Sequence, residues 1–517
     1  MAFVFTSEQA RAADAHLMGT VGLPGLVLME NAGRGVVGAI RRAMKARGLV
    51  MDKARVAVVC GVGQNGGDGF VVARHMALLG ANVKVHLVLP LERIAGDALV
   101  NLHALQAMSN VPIVQGSGAD DRESWRSAFA EVDIIVDAIF GTGLRSDVIG
   151  VPAVAIAAIN AAAGLKVAVD LPSGLDADTG LVRGVAVAAD LTVTIAARKL
   201  GLVLDATAKV GRVCVVGLGG PVHLADACKP HAHWIDRSMV RAWLPSLAVD
   251  AHKGTRGHLL LVAGSEGKTG AAALAGRAAL RAGAGLVTVA TTQAAQAAID
   301  AKLWEVMSVA FAPGDDAVDD SYRQLAALAD RMKAVAIGPG IATGPGMAAL
   351  VRRFVVECSA AMVIDADALN HLGRDVSLLA SAAGPRVLTP HPGEMARLMG
   401  TTVDEVQGQR LVFVRRLAAK ADCVVVFKGA RTLVADADGT VYINPAASSA
   451  LGTAGSGDVL TGVLGALLAQ GLSALHAAVC GVFLHGLAAK NACAALRMQT
   501  LVAGDLPDAV ARVRAGI

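Results

Sequence analysis

The stretch RVAVVCGVGQNGGDGF, residues 55–70, decides how the first half of the chain is read. Arg55 to Cys60 is an apolar, β-branched run of strand type and length. Glycines at 61, 63, 66, 67 and 69 follow at once, with Gln64, Asn65 and Asp68 among them. The run from Phe70 to Leu79 then reads as a helix. Strand, glycine-rich turn and helix start together make a ligand-binding corner. Glycine lets backbone approach a ligand closely, and the free amides of a helix N-terminus favour an anion. Gly61, Gly63 and Gly66 also satisfy G-x-G-x-x-G. A dinucleotide fold of that type needs an acid ending the second strand, about 20 residues on. That strand ends in LVLP (87–90), and the first acid is Glu92, after the proline, so the match is poor.

Outward from this corner the same alternation continues. Strand-like runs recur at 83–89, 132–139, 166–172, 191–197 and 213–219, with room for crossover helices between them. Ser7 is placed to cap a helix running to about Met18. The pattern loosens between Gly220 and Asp236, where two prolines and three histidines cluster, and restarts at 257–264, 286–292, 334–340, 361–369, 385–391 and 423–429. Strand–helix alternation on both sides of a break predicts α/β architecture with two doubly wound parallel sheets. The domains are set at residues 1–228 and 229–517. At 517 residues, 54% hydrophobic and 17% charged, the chain exceeds one compact core and is far from the disordered class.

The net charge of +4 comes with no long basic run, which argues against a nucleic-acid partner. Seven cysteines, none in a C-x-x-C pair, read as reduced thiols of a cytoplasmic protein. His223, His231 and His233 lack the carboxylate or thiol framework of a metal site. Residues 461–489 carry no charge and are long enough to span a bilayer, but QGLS (470–473) reads as a helix stop followed by a new cap, giving two core helices and no membrane.

Three further segments carry chemistry. VDAIFGTGLRSD (136–147) ends a strand with Asp137 and continues into a Gly-Thr-Gly loop suited to phosphate. AVDLPSGLDADTG (168–180) puts Asp170, a candidate acid or base, and Ser173 at the next strand end. Asn65, Asp137 and Ser173 offer only oxygen donors, which suits a hard cation. GTAGSGDVL (452–460) leads a glycine-rich turn into a long apolar helix, combining an anion site with Asp458 as a base for a hydroxyl proton. It is no P-loop: Lys428 lies upstream, in VVVFKGART (424–432), as a point charge for nucleotide phosphates. TPHPGE (389–394) fixes His391 between two prolines.

With GLPGLVLMENAG (22–33), the segments at 60–74, 136–144 and 169–180 resemble the YjeF N-terminal family, the NAD(P)HX epimerases. The resemblance implies a Rossmann-like three-layer sandwich with potassium held by Asn65, Asp137 and Ser173. It further implies hydrated nucleotide bound by Gln64, Asn65, Gly66, Gly67 and Asp68, by Gly141, Thr142, Gly143, Leu144, Arg145, Ser146 and Asp147, and by Asp170, which is also catalytic. Gln64 stands where the family more often has Asn, and Lys199 resembles the family's Pro-Lys element with Arg198 in place of the proline.

The second half resembles the YjeF C-terminal family, ADP- or ATP-dependent NAD(P)HX dehydratases of ribokinase-like fold. The segments at 277–291, 336–343, 363–370, 389–394, 426–432 and 452–460 carry this likeness. It implies that Lys428, Gly429, Ala430, Arg431, Thr432 and Gly457 bind an adenine nucleotide with Mg2+. Ala272, Gly340, His391 and Asp458 would contact the hydrated dinucleotide, with Asp458 catalytic. The family's GPGLG is Gly-Pro-Gly-Ile-Ala here, ending in Ala342.

The function implied is epimerisation of R and S NAD(P)HX, then dehydration of the S form to NAD(P)H, by a cytoplasmic homo-oligomer. The alternative is a ribokinase-like small-molecule kinase with a non-catalytic N-terminal binding module. Such kinases lack an N-terminal half of this kind.

Overall fold

In the computed structural model, the residues described are 2–116, 122–204, 209–220, 228–246, 252–312, 314–446, 448–496 and 500–517. His223 lies outside them. The chain divides into two compact units, 2–231 and 232–517.

The N-terminal unit has strands β1 (Ala2–Phe5), β2 (Arg55–Cys60), β3 (Asn82–Leu87), β4 (Ile113–Gln115), β5 (Ile134–Ala138), β6 (Leu165–Val169), β7 (Leu191–Ile195), β8 (Arg198–Lys199) and β9 (Arg212–Val216). Seven of them form a sheet in the order β4-β3-β2-β5-β6-β7-β9. Every pairing in it is parallel. The short strands β1 and β8 pair separately. Parallel strands covered on both faces must be apolar throughout. Accordingly, all of β2 after Arg55 and all of β5 are buried.

The C-terminal unit has β10 (Ala232–Trp234), β11 (His258–Val262), β12 (Leu286–Thr292), β13 (Met307–Phe311), β14 (Ala334–Ile337), β15 (Ala361–Ile364), β16 (Arg386–Leu388), β17 (Val424–Phe427), β18 (Leu433–Ala435) and β19 (Val441–Ile443). Their order is β13-β12-β11-β14-β15-β16-β17-β18-β19-β10. The pairings are parallel except for the β17–β18 and β18–β19 ladders. Both units are thus doubly wound α/β. In each, the chain reverses its direction of travel across the sheet once, between β2 and β5 and between β11 and β14. Open α/β sheets bind ligands in the crevice beyond the carboxyl ends of the strands at such a reversal.

Two local readings are corrected. The helix after β2 begins at Gln64, not Phe70, so the glycine run forms its first turns. Thr6, not Ser7, caps the first helix (Ser7–Gly19), in a reciprocal capping box with Gln9. Ser7 instead bonds Asp178, from its amide (2.6 Å) and from its hydroxyl (2.7 Å).

The apolar segment at 461–489 splits between two helices, Ser456–Ala469 and Ala474–Leu496. Gly471 (φ 91°) breaks the chain between them, and the Ser473 hydroxyl accepts from the His476 amide. Among the described residues, one helix, Ala474–Ala494, is long and apolar enough to cross a membrane, and it is mostly buried in the core of its unit.

Candidate active sites

The crevice at the β2/β5 reversal opens into a cavity of ≈ 720 Å³. Of the residues expected to bind substrate, Gln64, Asn65, Asp68, Gly141, Thr142, Gly143, Leu144, Arg145, Ser146 and Asp170 line it. Gly66, Gly67 and Asp147 do not. Gly66 is where the helix start presses on the preceding strand end, and a Cβ there would sit 2.0 Å from the Gly61 carbonyl oxygen. Gly67 likewise packs against Met29 and Ala98. Asp147 is exposed and sits within electrostatic reach of Arg183.

Asp170 ends β6 with φ at 63°, a left-handed conformation costly for a non-glycine residue. Its Oδ1 accepts from Thr194 Oγ1 (3.1 Å), the Ile195 amide (3.0 Å) and Lys199 Nζ. Lys199 also donates to the Ile195 carbonyl at 2.7 Å and is 2% exposed. This buried pair forms the floor of the cavity. Two more carboxyl groups surround it. Asp68 has its pKa raised well above the usual range, first by burial and then by Asp170 and Asp14. Asp14, from the first helix, is pushed up to about 6, with burial the main cause. Neither Asp14 nor Lys199 was singled out as an active group by spacing alone.

Beside this floor, Asp137 is buried with Ser173 clasped to it. The Ser173 amide donates to Oδ2 at 2.7 Å and its hydroxyl to Oδ1, while the Phe140 amide donates to the Ser173 hydroxyl at 2.8 Å. Burial still lifts the Asp137 pKa to about 6. Asn65 is buried against Gly141, and its Nδ2 has no hydrogen-bond partner among the described residues. An amide without that commitment is free to turn its oxygen inward. One carboxylate, an amide, a hydroxyl and the Phe140 carbonyl form an all-oxygen set of low charge, the chemistry of a weakly hydrated cation site.

In the C-terminal unit the charged centre lies beyond β15, β16 and β17. Asp365, 1% exposed at the end of β15, accepts from Lys428 Nζ (2.8 Å), Thr389 Oγ1 (2.6 Å) and Thr461 Oγ1 (2.6 Å). Burial alone would raise its pKa; Lys428 and the two hydroxyls outweigh it and hold the group below the usual range. Lys428 also lies 3.8 Å from Glu394. Above them starts the helix Ser456–Ala469, whose N-cap is Gly455, at φ 88°. A Cβ on Gly457 would lie 3.5 Å from Lys428 Nζ, so the lysine ammonium sits directly under this turn. Asp458, in the same turn, is pushed up to about 6 by burial and then by Asp365. The loop Lys428–Thr432 is braced by Arg410, which donates to the Arg431 carbonyl at 2.7 Å, while the Arg431 guanidinium stands 5.4 Å over the Trp234 ring.

His391 is the N-cap of the helix Pro392–Met399. Its Nδ1 accepts from the Gly393 amide (3.0 Å) and the Glu394 amide (3.2 Å), and Glu394 returns a bond to the His391 amide (2.7 Å). The ring remains half exposed. Gly340 takes φ 61°, and its carbonyl accepts from Ser265 Oγ at 2.9 Å. Ala272 is fully buried behind Gly264, so its side chain supplies small size and no exposed surface. The β11/β14 reversal opens a cavity of ≈ 790 Å³ lined by Ser265, Lys268, Gln293, Phe311 and Ala342 among others. That cavity does not include Asp458, Lys428 or His391. Its Ser265 bonds Gly340, and its Lys268 bonds, at 2.9 Å, Asp367, which in turn acts electrostatically on Asp458.

Asp365, Glu394 and Thr461 were missed in the sequence. Asp365 stood in view at the end of an apolar strand run, inside VIDADALN, and a strand-end Asp with a strand-end Lys was the available signal.

Two family models match the chain, "YjeF-related protein N-terminus" over residues 25–201 and "NAD(P)H-hydrate dehydratase" over 259–511. A bifunctional NAD(P)H-hydrate repair enzyme from Moorella thermoacetica is 43% identical over 98% of this chain and 95% of its own length. One from Salinibacter ruber is 38% identical over 99% of this chain and 96% of its own. The solved ADP/ATP-dependent NAD(P)H-hydrate dehydratase of Bacillus subtilis, co-crystallised with ATP and Mg2+, is 33% identical, with a TM-score of 0.48 over 54% of this chain and 95% of that one. With full-length relatives at this identity, the chain belongs to the family of bifunctional NAD(P)H-hydrate repair enzymes.

Proposed function

We infer that the chain restores hydrated NADH and NADPH in two reactions, one in each unit. The N-terminal unit interconverts R- and S-NAD(P)HX, and the C-terminal unit dehydrates the S form to NAD(P)H with ADP or ATP. The observation that carries the second reaction is Asp458 standing in a half-buried helix start directly above the Lys428–Asp365 pair. Hydroxide is a poor leaving group, so the ring hydroxyl must be activated. Asp458 takes its proton as the hydroxyl oxygen accepts the terminal phosphoryl group. The amides of Gly455 to Gly457 and the Lys428 ammonium steady the charge on that group. The ring nitrogen's electron pair then expels phosphate, and loss of a proton from the adjacent carbon restores the double bond.

Magnesium arriving with the nucleotide would offset phosphate charge, and Glu394, whose pKa burial pushes up to about 7, is the acidic group that would gain most from a cation. Sheet geometry supports a long ligand: β14 and β17 stand three strand spacings apart, about 14 Å. A dinucleotide reaching from the β11/β14 cavity past Gly340 would bring its ring towards Asp458.

In the N-terminal unit, Asn65, Asp137, Ser173 and the Phe140 carbonyl would hold potassium, whose charge would offset the substrate diphosphate at the Gln64 helix start.

The test is incubation of the full chain with mixed epimers and ADP, ATP or no nucleotide, followed at the absorbance band of reduced nicotinamide. Complete recovery with nucleotide is expected. Recovery that stops when the S epimer is spent would remove the epimerase, and no recovery with either nucleotide would remove the dehydratase.

A further inference from the structure

We propose that Asp14 is the carboxyl group that hands the proton to the departing ring hydroxyl during epimerisation. The proposal rests on reading the N-terminal unit as the epimerase. It concerns a residue that precedes the segment matched by the N-terminal family model, which starts at Gly25.

Of the four carboxyl groups that line the cavity, Asp97 apart, Asp14, Asp68 and Asp170 act electrostatically on one another, and their surroundings divide the labour. Asp170 is committed: the Lys199 ammonium, the Thr194 hydroxyl and the Ile195 amide all donate to its Oδ1. Three donors converging on one oxygen hold this carboxyl in place in the floor. Asp68 is in the opposite condition, buried in the floor, with burial pushing its pKa well above the usual carboxylate range. Asp14 is the third. Its side chain is open to the lumen, and it accepts no hydrogen bond from any described residue. The cavity walls nevertheless crowd out enough water to lift its pKa to about 6.

A proton carrier must reach substrate, exchange with solvent and be free of other bonds, and Asp14 meets these demands: it lines the lumen, is exposed and accepts no hydrogen bond from a described residue. The charged groups that share the cavity with it are Lys199, Asp170 and Asp68 in the floor, Arg11 on its own helix, Asp97, and Arg145 on the loop 141–146. Its position is fixed. Leu17 anchors the helix in the core, Thr6 caps it, and Ser7 ties its first turn to Asp178.

The step balances without redox chemistry. Asp14 gives its proton to the hydroxyl oxygen on the hydrated carbon. The carbon–oxygen bond breaks, water leaves, and the ring nitrogen's lone pair forms a carbon–nitrogen double bond. A water molecule adds to the opposite face, the double-bond pair returns to nitrogen, and the water's extra proton passes to the solvent of the open cavity. Solvent returns Asp14 to its protonated state.

The test uses the full chain. Asp14→Asn should lower epimerisation kcat by about 10²–10⁴ with little change in KM, and Asp14→Glu should recover part of the loss. Dehydration of pure S-NADHX by the same Asp14→Asn protein serves as internal reference and should be unchanged. Wild-type kcat should fall as pH rises through about 6, where Asp14 loses its proton, and the Asn variant should lack that limb. Inversion in oxygen-18 water should place one solvent oxygen on the ring per event. Asp14→Asn epimerising within about threefold of wild type, or inversion that retains the original oxygen, overturns the proposal. A wild-type chain that does not epimerise above the spontaneous rate overturns the epimerase reading itself, which is a separate outcome.

Discussion

Each unit buries an aspartate–lysine pair at its strand ends, yet the two pairs are built for different work. In the N-terminal unit, Lys199 is sealed under Asp170 and spends its remaining donors on Thr194 Oγ1 and the Ile195 carbonyl. The uncommitted acids, Asp14 and Asp68, surround the pair from other elements. In the C-terminal unit, Lys428 faces outward under the Gly457 turn, with the free acid Asp458 on the same turn. The first arrangement suits moving protons across a ring that never meets phosphoryl charge. The second joins an anion cradle to a base, which is what phosphoryl transfer to a hydroxyl requires. The position of the chemistry differs too. It sits at the sheet reversal in the first unit and two to three strands away from it in the second, leaving the second reversal free for the rest of a longer ligand.

The largest separation between the two centres should come from Asp458→Asn. Dehydration should drop by about 10²–10⁴ in kcat while nucleotide binding and epimerisation persist. The wild-type dehydratase should carry the matching pH signature. Asp458 works ionised and its pKa is raised to about 6, so kcat should be full at neutral pH and fall as pH drops through about 6. That limb runs opposite to the one expected of Asp14. Activity of the Asn variant above about a tenth of wild type would remove the base from the comparison.

Lys199→Met comes next. It leaves Asp170 buried without its cation, and breaking a buried pair from one side costs about 3–5 kcal/mol. The unfolding transition of the N-terminal unit should shift by that amount, epimerisation should fall with it, and dehydration should hold. An unchanged transition would mean that the pair is no support for the floor.

The contrast between the two floors was only half legible in the sequence. The segments at 61–69, 139–147, 170–180, 389–394 and 428–432 follow strand ends as the sequence suggests, because apolar strand runs and the glycines and prolines after them are local signals. The helix begins at Gln64, six residues before the sequence suggests, since Gly66, Gly67 and Gly69 argue against a helix by propensity. They are tolerated because this turn is packed too closely for side chains at Gly66 and Gly67. The partners were not visible. Lys428 and Asp365 meet across 63 residues of chain, and Lys199 and Asp170 across 29. No spacing rule connects them. Asp14 stood in an amphipathic N-terminal helix, where an acid reads as solvated surface until the cavity beneath it is seen.

A smaller effect should separate the units by cation. Exchanging potassium for a large organic cation should slow epimerisation several-fold and leave dehydration untouched apart from ionic strength. Asp137→Ala should remove the cation dependence and weaken substrate binding more than stability, because β5 remains packed. Equal epimerase rates in both buffers would discard the potassium site.

The smallest effect should appear at His391, where one side chain does structural and ligand work at once. Its Nδ1 caps the helix Pro392–Met399, while the ring is half exposed, with Nε2 3.4 Å from the Glu394 carboxylate. Removing a cap costs about 1 kcal/mol. His391→Ala should therefore lose roughly that much stability and also raise KM for S-NADHX. Asparagine is a strong cap in its own right. His391→Asn should restore the stability while leaving KM high, because the shorter side chain reaches the two amides and not the ligand. The dehydration kcat should change little in either variant, since proton removal belongs to Asp458. If Asn restores KM together with stability, His391 acts only by holding the Pro392 helix in place. The C-terminal centre would then depend on its caps in the way the N-terminal centre depends on its buried pair.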